Sequence, residues 1–211
     1  MSGALASVND AVRTCREPRR RTARWRTACA AGAIGLLLCG CASTTVTLTP
    51  AAQAPVCDSR ATALVLWAPQ WRADQKDVAQ REQAAATGLQ RFLADSGCFA
   101  RAELQRLPDL APATVGAHAD AARSGFTQLL SIGVRELGPV VKLLSSAAGF
   151  EGGTEVVLQV ASYGLPGLVD RREFTIHWAH GGPGVVKGVA SLPSDMQAAL
   201  QAGLQAGAPK H

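Results

Sequence analysis

Thr154–Tyr163 reads TEVVLQVASY, and Arg171–His180 reads RREFTIHWAH. In the first stretch Val156, Leu158 and Val160 alternate with Glu155 and Gln159; in the second Phe174, Ile176 and Trp178 take every other place. Side chains along a strand point to opposite faces in turn, so each stretch predicts a half-buried strand. Gly164–Asp170 turns the chain between them, which makes the pair an antiparallel hairpin. Upstream, Gly125–Leu137 is a further strand, with Phe126, Leu130, Ile132 and Val134 on one side. Val140–Leu144 extends it past Gly138-Pro139, and Ala147–Gly153 is a Gly-rich loop. Ala61–Trp67 (ATALVLW) is a short apolar run that suits a central strand, and Ala68–Arg72 is a loop. Asp74 is placed to cap a helix running to about Asp95, with Asp77 in its first turn. Val78, Ala85, Leu89, Phe92 and Leu93 share one face of it, and Ser96-Gly97 stops it. Cys98–Leu107 reads as a half-exposed strand ended by Pro108, and Leu110–Arg123 as a loop with a short helix. Downstream, Gly181–Gly184 is a turn. Ser194 opens a last helix with Gln197 as capping-box partner and Met196, Leu200 and Leu204 as its buried stripe. The expected order is β-α-β-(α)-β-β-β-α, a single α+β domain with helices packed on a mixed sheet.

The chain has 211 residues, of which 47% are hydrophobic and 18% charged. That is enough apolar material for a core, and too apolar for a disordered chain. The net charge of +5 is misleading. Residues 1–40 carry seven Arg against Asp10 and Glu17, so the whole excess lies there, and residues 41–211 balance at zero. A nucleic-acid-binding domain would need its basic surface in the folded part, so no nucleic acid is expected as a partner.

Arg19–Arg26 (RRRTARWR) is followed by the uncharged run Thr27–Gly40, TACAAGAIGLLLCG. This is the layout of a secretory signal peptide, and 14 residues fall short of the ~20 a membrane-spanning helix needs. The run ends Leu38-Cys39-Gly40-Cys41, with Leu at −3, a small residue at −1 and Cys at +1. It resembles the lipobox of bacterial lipoproteins. Cys39 is an unusual occupant of −2, yet cleavage before Cys39 would leave the large Leu38 at −1.

The resemblance implies that Cys41 takes a diacylglyceryl group, that the leader is removed and that the new amino terminus is acylated, for instance with palmitate. Two or more acyl chains give a stable anchor where one is marginal. Ala42 follows the Cys instead of the Asp that retains such proteins at the inner membrane, which implies the outer membrane, facing the periplasm. Ala42–Pro55 (ASTTVTLTPAAQAP) is rich in Thr, Ala and Pro and uncharged, and reads as a flexible tether; the competing reading is an edge strand at Val46–Thr49. The expected organisation is a signal peptide over 1–40, the lipidated Cys and tether over 41–56, and one periplasmic domain over 57–211.

Of six Cys, three leave with the leader and Cys41 carries lipid, which leaves Cys57 and Cys98. In an oxidising compartment they are a disulfide candidate; two buried thiols are the alternative. Each sits just before a predicted strand of one parallel β-α-β unit, so both lie at the same side of the sheet.

The element order over residues 61–205 resembles the small α/β domain of envelope lipoproteins: the curli secretion lipoprotein, the activator lipoproteins of penicillin-binding proteins, transport-auxiliary lipoproteins and the amino-terminal domain of the Tol translocation protein. It rests on the strand-helix order and the hairpin, and transfers no site residue.

No catalytic motif stands out. His177 and His180 lie three apart on a strand, on opposite faces, and cannot chelate one ion there. Gly182–Gly188 (GPGVVKG) lacks the Gly-Lys-Ser/Thr of a phosphate loop. No Gly-x-Ser-x-Gly elbow occurs. No metal ligands, cofactor or catalytic residues are therefore assigned. The densest cluster suited to binding is Trp67, Trp71 and Arg72, at the carboxyl end of the first strand. The alternative is that both Trp cover the helix start and Arg72 pairs with Asp74 or Asp77. The expectation is a non-enzymatic lipoprotein that binds a partner protein in a secretion, transport or cell-wall complex. The alternatives are a small periplasmic enzyme with a carboxylate or His site, and a ring-forming structural lipoprotein.

Overall fold

The computed structural model describes residues 42–51, 54–122, 125–143 and 150–205. The expected signal peptide and Cys41 lie outside the described residues. Among the described residues the fold is α+β, a single domain with three helices on one six-stranded mixed sheet. The elements are β1 (Ser43–Thr49), β2 (Asp58–Pro69), α1 (Val78–Asp95), β3 (Phe99–Arg106), α2 (Pro112–Ala121), β4 (Gln128–Leu143), β5 (Phe150–Gly164), β6 (Val169–Pro183) and α3 (Leu192–Leu204), with a short 3-10 turn before α3. The strand order is β1-β6-β5-β4-β2-β3. β2 is parallel to β3 and to β4, and the other pairs are antiparallel.

The predicted hairpin is present and longer than expected at both ends. Val156 faces Trp178, Leu158 faces Ile176 and Val160 faces Phe174 across it, all at most 3% exposed. Gly181 and Gly182 do not turn the chain; they continue β6 opposite Gly153 and Gly152. A side chain there has no room, because a Cβ on Gly153 would lie 2.5 Å from the His180 carbonyl. Strand pairing survives at these positions because they carry none. The Gly138-Pro139 break does not end β4, which runs through to Leu143.

The first 14 residues after Cys41 correct the tether. Ser43–Thr49 is not a leash but an edge strand, paired with β6 at seven positions from Ser43↔Gly181 to Thr49↔Thr175. Its sequence, STTVTLT, is dense in β-branched residues that favour the extended backbone.

The main core lies between the sheet and α1 with α3. It gathers Val65, Leu130, Ile132, Leu158 and Ile176 from the strands, Leu89 and Phe92 from α1, and Met196, Leu200 and Leu204 from α3. The two helices meet at Gly88, where a Cβ would lie 2.6 Å from Met196 Cβ. A smaller core on the other sheet face holds Leu64, Leu66 and Leu129 against Val115 and Ala119 of α2. Phe126 packs on this second core, not with Leu130 as its spacing suggested, because it precedes the regular strand.

Helix starts differ from the sequence reading. α1 begins at Val78, four residues after Asp74; Asp77 is its cap residue, in a left-handed conformation with no side-chain cap bond. Val78 is 36% exposed rather than buried. α3 begins at Leu192, so Ser194 lies inside it and bonds the Ser191 carbonyl, while Gln197 donates to Asp95. Pro193 at the helix start explains the shift, since its ring already holds a helical φ.

Candidate functional site

Cys57 and Cys98 form a disulfide, with Cα atoms 4.6 Å apart. Asp58 and Phe99, the residues after them, are register partners in the parallel β2–β3 pair. The bridge therefore closes the β-α-β unit at the strand starts, as the spacing implied.

The Trp67–Arg72 cluster is rebuilt by the fold. Trp67 is 2% exposed and belongs to the main core, so it offers no surface to a partner. The reason is register: Trp67 pairs with Ile132, whose face of the sheet lies under α1 and α3. Trp71 is half-buried against the same core. Arg72 remains exposed, but Glu136 of β4 and Asp74 hold it at 3.6 and 3.7 Å. Glu136 also accepts from Gln75 at 2.9 Å and from Arg81 at 3.1 Å. Arg81 is buried in α1 and donates further to the carbonyls of Lys76 and Leu137. Gly138 is required beside it, because the guanidinium fills the space a Cβ would take. Buried charge of this kind is tolerated when every donor has a partner. The carboxyl end of β2 is thus largely a closed ionic knot that ties α1 to β4.

The open geometry lies elsewhere. Residues of odd number on β5, β6 and β1 point away from the main core. α2 and the second core cover this face over β2, the start of β4 and Tyr163 at the end of β5. Farther along, Thr45, Thr47 and His177 are exposed, and Glu155, Val157 and Ala179 are half-buried. A shallow groove of about 210 Å³ lies here, lined by Ser43, Thr45, Val140, Glu151, Glu155 and His177 among others. Its floor is the paired glycines, which expose backbone instead of side chains.

His177 Nε2 sits 2.6 Å from Glu155 Oε1 on the neighbouring strand. Such a pair can hold an imidazole in one orientation, or place opposite charges in a groove when His177 is protonated. Among the described residues no hydroxyl or thiol hydrogen-bonds the His177 ring, and no cluster of three or more potential metal ligands is present. His180 is in β6, as the strand reading of Arg171–His180 expected. Its ring stacks on Trp178 with centroids 5.9 Å apart, and its Nδ1 lies 2.7 Å from Thr44 Oγ1. His177 and His180 thus serve opposite faces, as their spacing required.

Lys187 is the group that sequence reasoning passed over. It reaches Asp195 of α3 at 2.6 Å and lies over the Trp178 ring at 5.9 Å. Ser191 donates to the other oxygen of Asp195. A Lys eight residues ahead of an Asp at a helix start was the available signal. The pair ties the loop after β6 onto α3.

Among the described residues, the Asp58 carboxyl is displaced from its ordinary value. The backbone N–H of Arg60 donates to Asp58 at 3.0 Å and, with the Arg60 side chain, holds that carboxyl below the usual carboxylate value.

No family profile and no curated protein sequence matches the chain. Among solved structures, it is similar to a PelC dodecamer from Paraburkholderia phytofirmans, with a TM-score of 0.44 at 17% identity over 79% of this chain and 100% of that one. A substituted form of the same dodecamer gives 0.44 at 18% identity, over 77% and 98%. A neuraminyllactose-binding hemagglutinin homologue from Helicobacter pylori gives 0.29 at 14% identity, over 70% and 82%.

Proposed function

We propose that this protein is an exported lipoprotein, acylated at Cys41 and anchored to the outer membrane facing the periplasm, that binds a partner protein of an envelope complex and catalyses no reaction. The observation that supports a binding role is the bare outer face of β5, β6 and β1, which no described helix covers while α2 covers that face over β2 and the start of β4. A sheet left open on one side normally carries polar residues there, and this one does: Thr45, Thr47, Glu155 and His177. The face also contains the groove, so a partner meets both shape and charge. Arg72 is the one member of the Trp67–Arg72 cluster with an exposed side chain, and it lies at the edge of a network already satisfied within the fold.

The test is in-cell photocrosslinking with the reactive residue at Thr47, at His177 or at Arg72, followed by mass spectrometry. One reproducible envelope protein is expected from Thr47 and His177, and little from Arg72. An exported, folded protein that gives no reproducible crosslink from the sheet face refutes the reading. Palmitate labelling of the wild type, lost in Cys41→Ala, tests the anchor separately.

A further inference from the structure

β1 changes what an acyl anchor on Cys41 would do. A free leash would leave the domain at any orientation to the lipid. Instead Ser43, two residues after Cys41, is already locked in the sheet. It stands in one cross-strand row: Ser43 on β1, Gly181 on β6, Gly153 on β5 and Val140 on β4. β1 and β5 both run antiparallel to β6, so they run in the same direction. The chain before Ser43 and the chain before Gly153 therefore leave this row on the same side. Two residues of extended chain keep Cys41 within about 7 Å of Ser43, and Phe150 lies about 10 Å beyond Gly153 on β5.

Exposed apolar side chains gather at that end of the sheet, beside Glu151 on the groove side. Val141 is 68% exposed, Phe150 38% and Val186 82%. Val141 faces Gly152, and Phe150 lies two residues along β5 from it, on the same side of the sheet. Gly184 donates to the Phe150 carbonyl at 3.0 Å, and the Val185 carbonyl sits where Gly152 would carry a Cβ, which brings Val186 to the same tip. The opposite end of the hairpin differs: around the exposed Val169 stand Asp170, Arg171, Arg172 and Glu173.

Resting on the lipoprotein reading above, we infer that Val141, Phe150 and Val186 form a membrane-contacting tip that enters the headgroup region of the bilayer holding the Cys41 acyl chains. The strands then stand on the membrane, and the groove beside Ser43 opens close to the lipid surface. The occupant is a lipid bilayer because the anchor places one within reach of this tip. Exposed apolar side chains are stabilised in the interfacial region, and no described helix is long and apolar enough to span it.

The experiment uses the full chain, exported, purified with its lipid and placed in phosphatidylethanolamine–phosphatidylglycerol vesicles. Single nitroxides are attached through Val141→Cys, Val186→Cys and, as control, Val169→Cys. The mass of the purified protein reports acylation of each sample. We expect the ratio of oxygen to nickel-chelate accessibility to rise several-fold at 141 and 186 on going from detergent to vesicles, and to stay flat at 169. An acylated protein with equal, water-like ratios at all three sites overturns the tip while leaving the anchor intact. Spin–spin broadening at 141 and 186 without oxygen gain assigns the tip to a second copy and likewise overturns it. A mass without acyl chains overturns the anchor and, with it, the premise of the tip. Val141→Asp with Val186→Asp provides a check on a folded protein: with circular dichroism unchanged, a nitroxide at Phe150→Cys, which gains oxygen accessibility several-fold in vesicles on the wild-type background, is expected to lose that gain in the double-Asp protein, and an unchanged gain overturns the tip.

Discussion

The sheet has two halves that are built differently. Around β2 and the first part of β4, both faces are covered: α1 and α3 on one, α2 on the other. β2 reads as an unbroken apolar run, ALVLW, because both of its faces are buried. A disulfide and the Arg81–Glu136 knot close this half at its two ends. Around β5, β6 and β1, one face is covered and the other is bare, and the strands alternate accordingly. Here glycine pairs replace side chains, and valines at the tip stand in solvent. Two-sided burial and cross-links are concentrated in the first half, and the surfaces open to other molecules in the second. A protein that must hold its shape while presenting a sheet face gains from keeping the two apart.

The sharpest way to break this contrast is to open the covered half. Cys57→Ser with Cys98→Ser releases a closed segment of 41 residues, and the expected loss is about 4 kcal/mol by loop entropy. Denaturant titration of the oxidised and double-Ser proteins reads it directly. A loss near zero would mean that the β2–β3 end is held by packing alone. In the open half, Gly181→Val is expected to cost about 2 kcal/mol, because a side chain there meets the backbone of Gly152 and Gly153. Thermal melting checks it, and amide exchange should show the protection loss confined to β5, β6 and β1. If Gly181→Val melts like the wild type, the glycine pairing is dispensable and the open half is looser than its register implies.

The smallest effect concerns pH. The folded Asp58 carboxyl is held below its ordinary value, so its contribution to stability is present above that value and disappears as pH falls through the folded one. Asp58 is exposed to solvent, and the effect is small. Asp58→Asn should flatten the acid limb of the stability curve slightly and leave neutral stability nearly unchanged. A steeper acid limb in Asp58→Asn would reverse the sign and overturn the assignment.

How far the chain could be read depended on which signal each element carries. Val156, Leu158 and Val160 announce their strand through period two, and the partner Phe174, Ile176 and Trp178 does the same, so the hairpin was legible. The Cys57–Cys98 pairing was legible too, because a β-α-β unit places both strand starts together. β1 was not. Its Val46 is 41% exposed and most of its other positions are Thr or Ser, so little apolar burial marks it; what makes it a strand is the edge that β6 offers. The start of α1 was misplaced because two acidic candidates, Asp74 and Asp77, precede it, and the choice rests on the turn that delivers Arg81 to Glu136. The groove gave no local sign, since Ser43, Glu151 and His177 come from three separate strands.

Alternation, helix stripes and cysteine spacing are properties of neighbouring residues, and they were enough to establish an α+β sheet, its central hairpin and its bridge. Which side chain faces water depends on what packs over each strand, and that is a matter of register and layering between distant segments. It put Trp67 inside and left His177 outside, turned an expected leash into an edge strand, and brought the start of β1 to the same end as Val141, Phe150 and Val186.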